Sequence, residues 1–387
     1  MNSKTSLNKP ATIVLCATAV VVTIYMWLFL HAESQLAVAG LIMVALIATI
    51  AGKKLGTMQH IEQAAASRPG LARIWAIGGV LALTAAFYDS HFILLMIGGV
   101  LLYSTACMGL TLQFGFSGVA NFAGAAFFGI GSYTAAVLAT HTGLPQLVNI
   151  ALSGLVAAIL GSVLILPVLR TRGHYAALVT IAFGILFKTF IEVNDVLGGP
   201  QGLQVPGMEI FGLQFNDGFT LFGLDVSFYV SYVLLSLVIC AGTFVLLRAL
   251  ERSWVGLSMD VVRTDETAAS TFGLHIKRWK IIAFTMGNLF AGIAGSVYGM
   301  MVGFIAPNNF TFSDSLLLLS ITILGGLGNP IGLIPAAIIV MILPEKFQFI
   351  QEYRVLLYAA LVIAILLFRP DGLLPRKTRL FFNKGAA

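Results

Sequence analysis

Arg252-Ser253-Trp254-Val255-Gly256, then Val262-Arg263-Thr264-Asp265-Glu266-Thr267-Ala268-Ala269, then Phe272-Gly273-Leu274 mark out one polar stretch, Leu247 to Lys280. Long apolar segments flank it, near 227–248 and 280–302. Each flank is long enough to cross the hydrocarbon layer of a bilayer, so the polar stretch is held on one side of a membrane. Within it, apolar or small residues recur at Trp254, Leu257, Val261, Ala268, Ala269 and Phe272, near helical spacing. That pattern predicts a short amphipathic helix over Val255–Phe272, stopped by Gly273, a residue that readily adopts the left-handed conformation ending many helices. An ordinary solvated loop is the competing reading.

Composition extends this from one loop to the whole chain. Of 387 residues, 58% are hydrophobic and 10% charged, and the mean hydropathy is +0.95; soluble domains carry roughly 25% charged residues. Apolar runs recur near 12–30, 35–52, 72–88, 92–111, 120–140, 147–168, 175–191, 227–248, 280–302, 313–327, 331–344 and 354–368. Helices satisfy their own backbone hydrogen bonds in lipid, so the expected fold is an all-α polytopic membrane protein with about 10–12 segments, some of them glycine-broken half-spans. The first run is long and closely followed by another, unlike a cleaved signal peptide.

The net charge of +6 does not point to nucleic acid, because the basic residues alternate along the chain. They gather at Lys4 and Lys9, at Lys53, Lys54, Arg68 and Arg73, at Arg170 and Arg172, through the 248–280 loop, and from Arg369 to Lys384. Glu33, Asp89, Glu192, Asp195, Glu209, Asp217 and Asp225 occupy the opposite loops. With twelve spans, every basic group falls on the cytoplasmic side, which places both termini and the 249–279 loop there.

Enzymatic chemistry finds little support. Cys16, Cys107 and Cys240 lie singly inside apolar segments and read as small core residues. The histidines lack metal-ligand spacing, and no nucleophile–base arrangement is evident. No Gly-x-x-x-x-Gly-Lys-[Ser/Thr] phosphate loop occurs, so the chain is expected to bind no cofactor and to hydrolyse no ATP itself. An ion-coupled secondary transporter would call for charged groups within the spans, and acidic residues are nearly absent there.

Three departures from simple apolar runs mark the remaining candidates. Glycines 115, 118, 124, 129 and 131 with Asn121 interrupt one span, and glycines 325, 326 and 328 with Pro330 divide another. Non-helical backbone at membrane depth is tolerated where protein buries it or it lines a passage. Paired broken segments are a sequence pointer to a translocation path, although no internal self-similarity establishes a repeat. The expected path residues are Gly118, Asn121, Gly124, Phe128, Gly129, Gly131 and Tyr133 on one segment and Gly325, Gly326 and Gly328 on the other. Close helix packing is the alternative for each glycine, and core packing for Phe128 and Tyr133. Lys188, near a span end, reads as a snorkelling or paired cation, and Ser313 as a helix N-cap. Residues 192–225 form the longest loop on the outer side, where an external partner would make contact. Residues 1–90 form an N-terminal membrane extension of about three helices, 91–375 the core, and 376–387 a basic tail.

Taken in order, several motifs resemble the permease family of branched-chain amino acid ABC importers over roughly 92–375. They are Phe127-Phe128-Gly129-Ile130-Gly131-Ser132-Tyr133, Arg170-x-Arg172-Gly173-x-Tyr175, Thr180 to Gly184, and Gly198-Gly199-x-x-Gly202-Leu203. The 252–274 loop follows, then Ser313, Leu324-Gly325-Gly326-Leu327-Gly328 and Arg369-Pro370-Asp371-Gly372-Leu373-Leu374. The resemblance implies an inner-membrane importer subunit that forms the path for hydrophobic amino acids. Implied partners are a second homologous permease, ATPase subunits that hydrolyse the ATP, and a periplasmic binding protein, in a lipid bilayer. In that family the 252–274 loop docks on the ATPase, which makes Glu266, Ala268, Ala269, Phe272 and Gly273 the coupling residues. This chain departs from the family pattern at Gly124, where histidine is common, at Ile185, where an acidic residue is common, and at the less basic Leu257–Asp260. The same family branch includes urea and short-amide permeases, so these substrates stay open.

Overall fold

The computed structural model describes residues 9–54, 56–171, 175–210, 212–221, 224–347, 353–368, 372–374 and 376. Arg172, Gly173 and His174, the Arg369–Asp371 part of the last motif, and the basic tail beyond Arg376 lie outside these residues. Four helices open the chain: α1 Lys9–His31, α2 Gln35–Lys54, α3 Thr57–Ser67 and α4 Pro69–Ala86. The short α3 falls in the expected polar loop, where Met58-Gln59-His60-Ile61-Glu62-Gln63 and three alanines are mostly good helix formers. It ends at Arg68, whose backbone (φ −135°, ψ 68°) leaves the helical region before Pro69, and that proline occupies the first turn of α4.

Next comes α5 His91–Thr111, which continues as one π-helical turn, Leu112–Phe116. An irregular stretch leads to α6 Gly124–His141, then α7 Gln146–Val168 and α8 Tyr175–Val193. After the loop of residues 194–228 come α9 Tyr229–Arg252, α10 Trp254–Thr264, α11 Glu266–Thr271 and α12 Ile276–Val302. The chain closes with α13 Phe312–Gly325, α14 Pro330–Ala337, a second π-helical turn Ile338–Ile342, α15 Leu343–Lys346 and α16 Arg354–Phe368. Among the described residues, seven helices are long and apolar enough to cross a membrane: α1, α4, α5 with its π turn, α7, α8, α9 and α12. At 14 residues α13 reaches only about 21 Å, short of a bilayer core of about 30 Å. The glycine break after it therefore produces shortened segments.

Helix α12 sits at the centre, packed on α5, α6 and α7. Glycines permit this: a Cβ at Gly109 would strike the carbonyl of Gly287, one at Gly131 that of Gly292, and one at Gly295 that of Phe128. With lipid as apolar as the side chains, such close backbone approach is what drives helices together. In the loop between α8 and α9, Leu203–Gln204 pairs antiparallel with Phe304–Ile305, which stitches the loop to the end of α12. Two further short hairpins complete it, small strands that the all-helical expectation omits. The cap of α13 is Thr311, not Ser313. Thr311 and Asp314 form a capping box one turn deep, with Thr311 N donating to Asp314 Oδ2 at 2.9 Å.

Candidate functional site

The polar loop is two helices, not the single helix expected over Val255–Phe272. Asp265 is extended between them, and its Oδ1 accepts from Thr267 N at 2.8 Å and Ala268 N at 3.0 Å. A short acidic side chain followed by Glu266 starts a new helix more readily than it continues an old one. Gly273 has φ 77°, and the last turn closes with Gly273 N donating to Ser270 O and Leu274 N to Ala269 O, both at 3.0 Å. This paired motif supplies the expected glycine stop. Glu266 pairs with Lys280 at the start of α12.

The two faces of the loop differ. Gly256, Ser258, Met259 and Val262 of α10 and Ala269 of α11 are buried within the chain. Phe272 is 81% and Trp254 68% exposed, and Ala268 is half-buried. Ala269 thus anchors the loop, while Phe272, Ala268 and Trp254 are presented outward. Exposed large aromatics are among the residue types enriched at protein-binding surfaces.

The loop is tied to the first backbone break. Arg263 of α10 donates to Gly115 O at 2.6 Å, and Gly118, at φ 69°, turns the chain beside the same arginine. The two breaks also meet: a Cβ at Gly115 would collide with the backbone of Gly328. Gly326 and Gly328 hold φ of 104° and 90°, and Asn329 caps α14 through Ile331 N.

The remaining expected path residues pack as follows. Asn121 is buried and donates to Gln113 Oε1 at 2.8 Å and Asn288 Oδ1 at 3.2 Å. Gln113 in turn donates to Asn288 Oδ1 at 2.9 Å and Phe284 O at 3.0 Å. This amide trio holds the irregular stretch against α12. Sequence reading passed over Gln113 and Asn288, whose signal was a polar amide inside an apolar span. Gly124, Gly129 and Gly131 do not break a helix; they lie within α6. Gly124 fits between Leu110 and Leu318, Gly129 between Phe310 and Phe187, and Gly131 on Gly292. Histidine would not fit at Gly124 without displacing both leucines. Phe128 and Tyr133 are buried and join Phe310, Tyr103 and Tyr298 in an aromatic cluster, with centroids 5.2–6.5 Å apart. Two buried polar atoms near these segments, Tyr133 Oη and Asn288 Nδ2, have no hydrogen-bond partner. Gly325 packs on Gly332 of α14, and Lys188 pairs with Glu192 at 3.1 Å, four residues on. Among the described residues no group of three metal-ligating side chains occurs. Cys107 and Cys240 are buried free thiols.

A family model described as "Branched-chain amino acid transport system / permease component" matches residues 92–366. The high-affinity branched-chain amino acid transport system permease protein LivM of Escherichia coli K12 is 36% identical over 303 residues, covering 74% of this chain and 71% of that protein. LivH of the same strain is 25% identical over 307 residues, covering 74% of this chain and 96% of that one. A probable LivM of Methanocaldococcus jannaschii is 23% identical, covering 71% and 91%. No solved structure matches the chain.

Proposed function

Because the chain belongs to the permease-component family of branched-chain amino acid transport systems, we propose that it forms the translocation path of an ATP-driven importer for leucine, isoleucine and valine. It is a multi-pass membrane transport protein rather than an enzyme. In this reading ATP is hydrolysed by a separate subunit docked on α10 and α11, and a binding protein delivers substrate at the outer loop. The observation that carries it is the bond from Arg263 of α10 to Gly115 O, which joins the outward-facing loop to a break at membrane depth. Force applied to Phe272 and Trp254 then reaches the place where the path must open. The distribution of basic loops supports a cytoplasmic side for that end and for both termini. Two paralogous permeases in one organism, LivM and LivH, both resemble this chain, which supports a heterodimer with a LivH-like partner.

The path itself is proposed to run past Asn121, Phe128 and Tyr133 and to close where Gly115 meets Gly328. Gly118, Gly325 and Gly326 shape the broken walls, and Gly124, Gly129 and Gly131 hold α6 close to its neighbours. A zwitterion needs polar contacts at its ends and apolar ones along its side chain. Tyr133 Oη and Asn288 Nδ2, both lacking partners, supply the former, and the aromatic cluster supplies the latter.

The test is reconstitution with the ATPase, partner permease and binding protein from the same source in sealed vesicles. ATP-dependent leucine uptake, competed by isoleucine and valine but not by urea or acetamide, is the expected result. Uptake driven by an ion gradient without ATP would sink the importer reading, and competition by urea alone would reassign the substrate. Cysteines at Asn121 or Tyr133 should react with a thiol reagent faster during turnover than at rest; equal rates in both states would remove these residues from the path.

A further inference from the structure

The segment following α16 is anchored on the second backbone break. Leu373 N donates to Leu324 O at 2.8 Å, Asn329 Nδ2 donates to Leu374 O at 3.0 Å, and Gly372 at φ 78° lies directly against Gly326. This anchoring delivers Arg376 into a space between four elements. Its Nη1 and Nη2 donate to the two carboxylate oxygens of Asp260 on α10, at 2.6 and 2.8 Å. Its Nε lies 3.7 Å from Glu251 at the end of α9, and its side chain is 12% exposed. The guanidinium is 4.0 Å from the ring centroid of Phe116, the fully buried last residue of the π turn. Its stem fills the room left by the missing side chain of Gly328. Arg248 completes the charge cluster by donating to Glu251 at 2.7 Å.

Helix α10 therefore grips both breaks. Arg263 holds Gly115, and Asp260, one turn earlier on α10, holds Arg376, which is seated on Phe116 and Gly328. A planar guanidinium makes two parallel bonds to a carboxylate and stacks on a ring at the same time, which an ammonium cannot do. The arginine side chain is 12% exposed and that of Asp260 35% exposed, so the pair lies at the edge of the packed core with its fork held on one side by Phe116.

We propose that Arg376 is the positioning residue that transmits displacement of α10 to the paired breaks, so that nucleotide-driven movement of the loop separates Gly115 from Gly328. It rests on the importer reading above, in which α10 and α11 meet the ATPase. Without this clasp the polar link from α10 to the breaks, among the described residues, is that of Arg263 on one side, and α10 tilts instead of pulling. ATP hydrolysis is then uncoupled from transport.

The experiment uses the full complex in vesicles, recording leucine uptake and ATP hydrolysis on one sample, with ATPase retention on the purified permease as the assembly control. Arg376→Gln should keep ATPase retention and hydrolysis near wild type while uptake per ATP falls by about tenfold, within the usual range of coupling between sites. Arg376→Lys, which keeps the charge and perturbs folding least, should also lose most of the ratio, because it loses the fork and the stack. Phe116→Leu should lower it less. An unchanged ratio in Arg376→Gln or Arg376→Lys overturns the proposal. So does a fall in uptake that only tracks lost assembly in both variants, which would make Arg376 a structural clamp. If the wild-type complex shows no ATP-dependent uptake or retains no ATPase, the importer reading itself fails, independently of Arg376.

Discussion

Helices α1 and α4 near the N-terminus and the central helices α5 and α12 are similarly apolar and differently packed. The α1 window has a mean hydropathy of 2.5 with 17% of it buried, and the α4 window 1.4 with 6% buried. The α5 window has 2.0 with 78% buried, and the α12 window 1.5 with 61% buried. Hydropathy thus decides that a segment enters the membrane and says almost nothing about whether protein or lipid surrounds it. Small residues decide the second question. Gly40, Gly70 and Gly78 of the N-terminal helices face open space, whereas Gly109, Gly131 and Gly295 each touch a neighbouring backbone. In lipid a leucine gains little by leaving one apolar medium for another, while two glycines let whole backbones pack. The N-terminal helices meet the core at defined points. Lys346 of α15 donates to Leu30 O at 2.7 Å and Ala32 O at 3.0 Å at the C-terminus of α1, Arg73 of α4 lies over Phe244, and Ser227 N reaches Tyr88 O.

The contrast is broken most directly by exchanging glycines. Gly131→Leu forces α6 from α12 and should cost on the order of 3 kcal/mol or more, seen as a collapse of the thermal midpoint of the detergent-solubilised chain. Gly78→Ala should leave the midpoint unchanged or raise it by the equivalent of about 0.5–1 kcal/mol. Equal losses at both positions would refute the packing distinction.

Next in size is the amide trio. Gln113→Leu leaves Asn121 Nδ2 with only its longer bond, to Asn288 Oδ1, and Phe284 O without this donor, and should destabilise the core by roughly 1–3 kcal/mol. The midpoint again reports it, and no polar substitution on the lipid-facing side of α4 should match it.

A smaller and more local effect is expected at Gly273. No atom lies within 4 Å of a Cβ placed there, so Gly273→Val costs only left-handed backbone strain, about 1–2 kcal/mol. The global midpoint should barely move while ATPase retention and uptake fall. Retention at wild-type level would detach the α11 stop from docking.

The smallest change is Lys346→Met, which removes a cation from the C-terminus of α1, a contribution of about 0.3–1 kcal/mol. Hydrogen exchange should quicken in the last turn of α1 and nowhere in α12. Acceleration spreading through α12 would show the two regions to be one cooperative unit.

What the amino-acid sequence determined by itself was everything carried by composition and local stereochemistry. Apolar run lengths set the membrane-spanning class, and Gly273 marked the end of the loop helix. Gly325 to Pro330 marked a break, because glycines readily take positive φ and a proline lacking a donor opens a helix more readily than it continues one. Other features needed the folded chain. The Asp265 kink was legible as an aspartate before a glutamate, but the stronger apolar periodicity masked it. Gly124, Gly129 and Gly131 look like breaks in a string of letters, and only the approach of α12, Leu318 and Phe310 shows them to be sites of contact. Whether Ala269 or Phe272 faces a partner depends on which side of α11 meets the rest of the chain. Arg376 meets Asp260 across 116 positions of sequence, and Gln113 meets Asn288 across 175. Pairings over such separations arise from how helices cross, a property of the packed bundle that no local pattern encodes.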